Sequence, residues 1–261
     1  MSFNLKQATD FVKAVDLRGI PRGLVELGAE TDAGEVFDKA KTQAQVVGSG
    51  VFSFAEGVTA DVREAISDSA LLAQLVANKK TPVEQDPVAW FKTYSEVLQN
   101  VGWTLQVGQW DDYTAKGNAA EVHDKILEVL TAALGPTAAA VAIVTATVKA
   151  LQGMNANSPW ITLFNRESQR AKIARFQVGL VEKNEQSDVF VSLLVCLIKA
   201  EETITQVLFF KYRAAKAHFE ANGAKVSINR AALADLGPAI RTKVRAYQKD
   251  YLSSILDVPL T

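Results

Sequence analysis

The chain has 261 residues, 48% of them hydrophobic, and its 28 Lys and Arg almost balance 29 Asp and Glu, for a net charge of -1. That length and apolar content suffice for a substantial core, expected here as one interwoven α+β unit over residues 1–261, and the balanced charge argues against a nucleic-acid partner. A single cysteine, Cys196, excludes an internal disulfide framework and zinc-ribbon spacing, and favours synthesis in a reducing cytosol.

The N-terminal segment mixes charges through an amphipathic pattern and has no apolar centre of the secretory kind, so the expectation is a soluble protein made in the cytoplasm, released, if at all, by another route. Its spacing of Leu5, Ala8, Phe11, Val12 and Val15 predicts a helix over 4–17, stopped by Gly19 and Pro21. A short helix is expected over 31–41. Residues 43–54 have strand character interrupted by Gly48 and Gly50, which points to a bulge or a close approach; a lone Gly-x-Gly without a third glycine or a following Gly-Lys-Ser/Thr is not a phosphate loop. Thr59 caps a helix over 60–79 whose stripe is Val62, Ile66, Ser69, Ala73 and Val76. Asp86-Pro87 opens another, with Trp90, Phe91, Tyr94, Val97, Leu98 and Val101 on its apolar side.

Residues 102–114 alternate as a strand, and Trp110 and Tyr113 beside Asp111 and Asp112 read either as a ligand-binding edge or as a strand end with a polar turn. A helix is expected over 119–134, then a nearly uncharged one over 137–151 that must be buried. Together they form a helical hairpin, 121–154, which reads as core or as a segment able to enter a bilayer. No run approaches the roughly 18 apolar residues of a spanning helix. Arg166, Arg170, Lys172 and Arg175 follow as a basic cluster, suited to anionic head groups or simply to a solvated face.

The stretch 171–228 reads as successive antiparallel strands. Arg175–Val181 turns through polar residues into 189–198, where Val189, Val191, Leu193, Val195 and Leu197 share one face and Phe190, Ser192, Leu194, Cys196 and Ile198 the other. With both faces apolar, this is a central strand covered on both sides, although a helical reading of 188–217 stays open. A third strand is expected over 204–210, and Asn222-Gly223 offers a turn into 224–228. Asn229 caps a short helical turn, and Pro238 starts a final helix to about residue 256. The fold class is therefore α+β, with an antiparallel sheet from 171–228, 43–54 and 102–114 covered by several helices.

Catalytic groupings are sparse. His123 and His218 are the only histidines, and no metal-binding spacing occurs, so no metal or cofactor is expected. A Cys196/His218 pair has nothing in sequence to lower the thiol's pKa. Cys196 reads as a small buried hydrophobe, or as a thiol whose aliphatic surroundings would hold a fatty chain, each buried methylene contributing about 0.8 kcal/mol.

A lone cysteine in an apolar strand about three quarters along the chain, the opening Asp86-Pro87-Val88-Ala89-Trp90, the overall length and the missing secretory signal together resemble the Erwinia virulence factor family, bacterial proteins linked to persistence in, or toxicity to, insect guts. The resemblance implies an α/β fold of complex topology, a fatty acid in thioester linkage on Cys196, binding to anionic membranes, and Trp90 as a membrane-proximal side chain. The expected function is a non-enzymatic, lipid-associating virulence or toxin-like factor. The alternatives are a binding or self-assembling module with a structural cysteine, and a pore former using 121–154.

Overall fold

The computed structural model describes residues 3–20, 36–81, 86–105, 110–112, 120–121, 124, 127–129, 138–184, 186, 188–204, 206–207, 211–212 and 217–260. Among these, the helices are α1 (Leu5–Ala14), α2 (Ala60–Lys80), α3 (Pro87–Asn100), α4 (Ala138–Gly153), α5 (Pro159–Ser168) and α6 (Arg230–Tyr251), and residues 124 and 127–129, within the helix expected over 119–134, are helical as well. The strands are β1 (Gln43–Val47), β2 (Gly50–Phe54), β3 (Trp103–Thr104), β4 (Asp111–Asp112), β5 (Ala120–Glu121), β6 (Gln169–Arg170), β7 (Ile173–Lys183), β8 (Val189–Ala200), β9 (Lys211–Tyr212), β10 (Ala217–Ile228) and β11 (Leu256–Asp257).

One mixed, mostly antiparallel sheet runs β11-β1-β2-β7-β8-β10-β3, with β4 also on β10 and β6 on β7; β5 and β9 form a separate pair. Helices cover both sheet faces, so each long strand must be apolar on both sides. On the first face, α1, α2, α3 and α6 enclose Phe52, Ile66, Leu71, Trp90, Tyr94, Val191, Val195 and Ile240. On the second, α4 and α5 enclose Ile143, Val148, Phe164, Phe176, Leu194, Cys196 and Phe219. The expected split of β8 is thus observed, odd positions 189–195 to one core and even positions 194–198 to the other.

Indole N–H groups tie these layers together, as buried tryptophans require. Trp90 donates to Asn78 (2.8 Å), Trp103 to Ser69 (3.2 Å) and Trp160 to Ser254 (3.0 Å). Capping follows the sequence: Asn4, Asp86, Ser158 and Asn229 accept from the first turns of α1, α3, α5 and α6. Thr59 stands at the start of α2, but its hydroxyl makes no capping bond.

Several expectations change. Residues 43–54 are two strands joined by a tight turn, in which Gly48 (φ +52) supplies the left-handed conformation that a two-residue hairpin needs. Asn222-Gly223 does not turn: β10 runs unbroken through it, pairing Asn222 with Val195 and Gly223 with Leu194. A continuous ladder on a covered strand satisfies every backbone group, and that outweighs a local turn preference. Pro238 lies inside α6 rather than at its start, and α2 is buried nearly all round instead of along one stripe. Residues 36–41 are not helical, Ala120 and Glu121 are strand, and 203–204 and 206–207 form no strand. β2 and β7 pair in parallel, the one departure from the antiparallel expectation among the described residues. Within 102–114, residues 103–104 and 111–112 are strand, β3 and β4 pairing to β10 in registers one residue apart, while 106–109 and 113–114 lie outside the described residues.

Candidate functional site

Cys196 sits mid-strand in β8, opposite Phe176 of β7 and Ala221 of β10. It is fully buried in the second core, and desolvation pushes its thiol well above the usual range, so it is an unreactive neutral thiol in this fold. His218 is exposed, and alternation along β10 puts it on the opposite sheet face from Ala221 and hence from Cys196. The Cys196/His218 pair is therefore not formed. His123 and Tyr113 lie outside the described residues. Among the described residues, no group of His, Cys, Asp and Glu is arranged to hold a metal.

α4 and α5 pack on the sheet face that carries Cys196, α4 against β2 and β7 and α5 against β1, β2 and β7. α4 carries no charge before Lys149; Ala140, Ile143, Val144, Thr147, Val148 and Leu151 face the sheet, while Ala139 and Ala142 are exposed. The helix is thus half-covered, not buried all round. One hydroxyl pair, Ser53 Oγ with Thr147 Oγ1 at 2.9 Å, is the side-chain hydrogen bond seen between α4 and the sheet. No described helix is long and apolar enough to cross a membrane.

The four basic residues separate. Arg170 and Lys172 are exposed at the β6–β7 turn, beside the C-terminus of α5, with Ala171 at φ +49 between them. Arg166 is half-buried; its Nε donates to Glu167 (2.7 Å) and its guanidinium lies over the Tyr251 ring. Glu201 and Glu202 are exposed close by, since the Ala200 N–H donates to the Lys172 carbonyl (2.8 Å). Arg175 does not join this surface. It is 3% exposed on the first sheet face, its Cζ 3.4 Å from the centroid of the Trp90 ring. Trp90 is itself 0% exposed, so the expected membrane-proximal roles of Trp90 and Arg175 are not met in this fold: Trp90 is on the buried side of α3, and Arg175 is sealed against it.

Two further polar clusters escaped the sequence reading. Arg63 is fully buried, donating through Nε to the Val58 carbonyl (2.8 Å), through Nη1 to Gln43 (2.9 Å) and through Nη2 to the Lys41 and Ala55 carbonyls (2.9 and 3.0 Å). Desolvation lowers its pKa to about 10, which leaves it a cation at neutral pH. Asp68, buried on α2, accepts from Arg241 (3.0 Å) and Gln248 (2.6 Å) of α6; desolvation still raises its pKa, against these bonds. A cleft of about 820 Å³ beside them is lined by acidic Asp61 and Glu64 and basic Arg230, Arg241 and Arg245. The signal for such residues is a charge or amide inside an otherwise apolar element, as at Arg63, Asp68, Arg175 and Gln177.

No family model matches the chain, and no curated protein matches it. Among solved structures it is similar to a delta-endotoxin (TM-score 0.35, 11% identity, 69% of this chain and 79% of that one). It is also similar to the Evf virulence factor (0.30, 12%, 85% and 88%) and to the activated Cyt2Ba monomer of Bacillus thuringiensis subsp. israelensis (0.27, 11%, 55% and 83%). The likeness is at the level of fold and weak, and it leaves function to be argued from the chain's own residues.

Proposed function

We propose that the protein is a non-enzymatic, lipid-associating factor of the virulence or toxin kind, with α4 as the element that engages lipid. The observation that supports this reading is the contrast at α4: a surface without charge before Lys149, half exposed, joined to the sheet by apolar contacts and, among the described residues, the Ser53–Thr147 hydroxyl pair. A helix satisfies its own backbone, so moving it from the sheet to a lipid surface costs few polar contacts. Its 16 residues span about 24 Å, short of the roughly 30 Å hydrocarbon core, which favours lying in the interface over crossing it. Arg170 and Lys172, at the margin of the same helical layer, suit anionic head groups. An acyl chain on Cys196 would require the second core to open, since the thiol is fully buried within it.

Flotation with vesicles, anionic against zwitterionic, tests the reading, and a lock on α4 tests the element. Cysteines at positions 53 and 147 replace hydroxyls 2.9 Å apart and can bridge. The oxidised S53C/T147C protein should lose vesicle binding that reduction restores; equal binding in both states would remove α4 from the reading, and no flotation at all would remove lipid. Intact mass from the native host, before and after hydroxylamine, decides the acyl group on Cys196 separately.

A further inference from the structure

The first sheet face carries a row of polar side chains that the fold leaves incomplete. Arg175 and Gln177 alternate onto this face of β7, beneath α3. Arg175 Nη2 reaches the Glu167 carbonyl at a long 3.4 Å, while Nε and Nη1 donate to nothing among the described residues. Gln177 accepts through Oε1 from Ser49 (3.2 Å), and its Nε2 has no partner among the described residues. Above them Trp90 stacks both on Arg175 and on Tyr94 (centroids 5.2 Å, planes 13° apart), and the Tyr94 hydroxyl is also buried without a partner among the described residues.

Buried polar groups are nearly always satisfied, and a cluster of orphans calls for an absent partner. The orphans here share a character: guanidinium N–H, amide N–H and a phenol, which burial keeps protonated. They are donors around a buried cation. Among the described residues Glu167 is the carboxylate that acts on this cation, but it is shared, because it already accepts from Arg166 (2.7 Å), while Glu220, one strand beyond Leu197, lies 3.9 Å from Lys199. Water would satisfy the donors but add no negative charge to a site where one carboxylate, Glu167, serves both Arg166 and Arg175.

We propose that this row is a seat for one small oxyanion, a carboxylate or a phosphate, held by the Arg175 guanidinium with the Gln177 amide and the Tyr94 phenol. The oxyanion comes either free from solution or as the head of an amphiphile.

The test is the thermal midpoint of the full chain against acetate, inorganic phosphate and octanoate, at ionic strength held constant with chloride. A ligand that binds the folded state alone raises the midpoint in proportion to the logarithm of its concentration. Acetate or phosphate should do so in the wild type and not in Arg175→Met, which keeps the stacked stem and removes the cation. Tyr94→Phe, with its ring and stacking intact, should weaken the apparent affinity about fivefold, as expected for one hydrogen bond. A larger response to octanoate than to acetate identifies an amphiphile head; equal responses identify the free anion. Midpoints that move alike in wild type and Tyr94→Phe, or do not move with any of the three anions, overturn the proposal even if Arg175→Met fails to fold.

Discussion

Asp257 shows what one exposed carboxylate does at a sheet edge. Hydrogen bonds from the Lys41 ammonium and the Gln43 amide hold its pKa below the ordinary 3.8. The folded state therefore releases this proton more readily than the unfolded chain. The added stability is present above about pH 4 and is lost as the pH falls through the folded value. For a side chain 54% exposed the contribution is small, below about 1 kcal/mol. In urea titrations across pH, Asp257→Asn should unfold slightly earlier than wild type at neutral pH and coincide with it in strong acid. A constant offset at every pH would mean that the charge is not what holds the strand. Arg175 marks the limit of reading at this scale. In sequence it stands with Arg166, Arg170 and Lys172, and only the period of its strand, with Gln177 two positions on, separates a core cation from a surface one.

The parallel pairing of β2 with β7 rests on a matched aromatic and glycine. Phe52 lies opposite Gly179, and a methyl group at 179 would come within 2.5 Å of its ring. Gly179→Ala should destabilise by about 1 to 3 kcal/mol through overpacking, and Phe52→Leu should restore part of the loss in the double variant. Additive losses in chemical denaturation would show that the two do not meet. Pairings of this kind explain which elements were legible. β8 declared itself because both of its faces are covered and its alternation is complete, and α3 because its cap, proline and aromatic stripe agree. The turn at Asn222-Gly223 and the break at Pro238 were misread because a local preference was outweighed: by the ladder to β8 in one case, and in the other by burial of Leu233, Leu236, Ile240 and Val244 on one continuous helix face. The hairpin at 43–54 was hidden because its two-residue turn interrupts the apolar pattern so briefly.

Across the whole molecule the two helical layers are fastened differently. α2 is buried from Val62 to Ala77 save Glu64, and its polar side chains reach β1, the β1–β2 turn and α6 through Ser67, Gln74 and Asp68. α4 buries half its surface over one hydroxyl pair. Local opening follows the density of such contacts. Native-state hydrogen exchange should give α4 amides a markedly lower opening free energy than those of α2, whose protection should approach the global value. Equal protection would argue against α4 as a separable element. The α4/α5 layer could not be ranked against the other from sequence alone, since apolar helices look alike until their partners are known.

The outer edge of β1 is closed by the end of the chain: Leu252 bridges Val47, the Ser253 and Val258 N–H groups donate to Val46 and Thr42, and β11 pairs with Gln43 and Ala44. Gln43 and Asp257 are 214 residues apart. During synthesis the β1–β2 hairpin therefore emerges long before either neighbour it needs, β7 on one side and the C-terminal tail on the other. Until residues 252–258 leave the ribosome it presents open backbone, the state most prone to pair with another nascent chain. Completion of this sheet therefore waits on residues 252–258, so the yield of folded protein depends on how the open hairpin is protected until they arrive as well as on final stability.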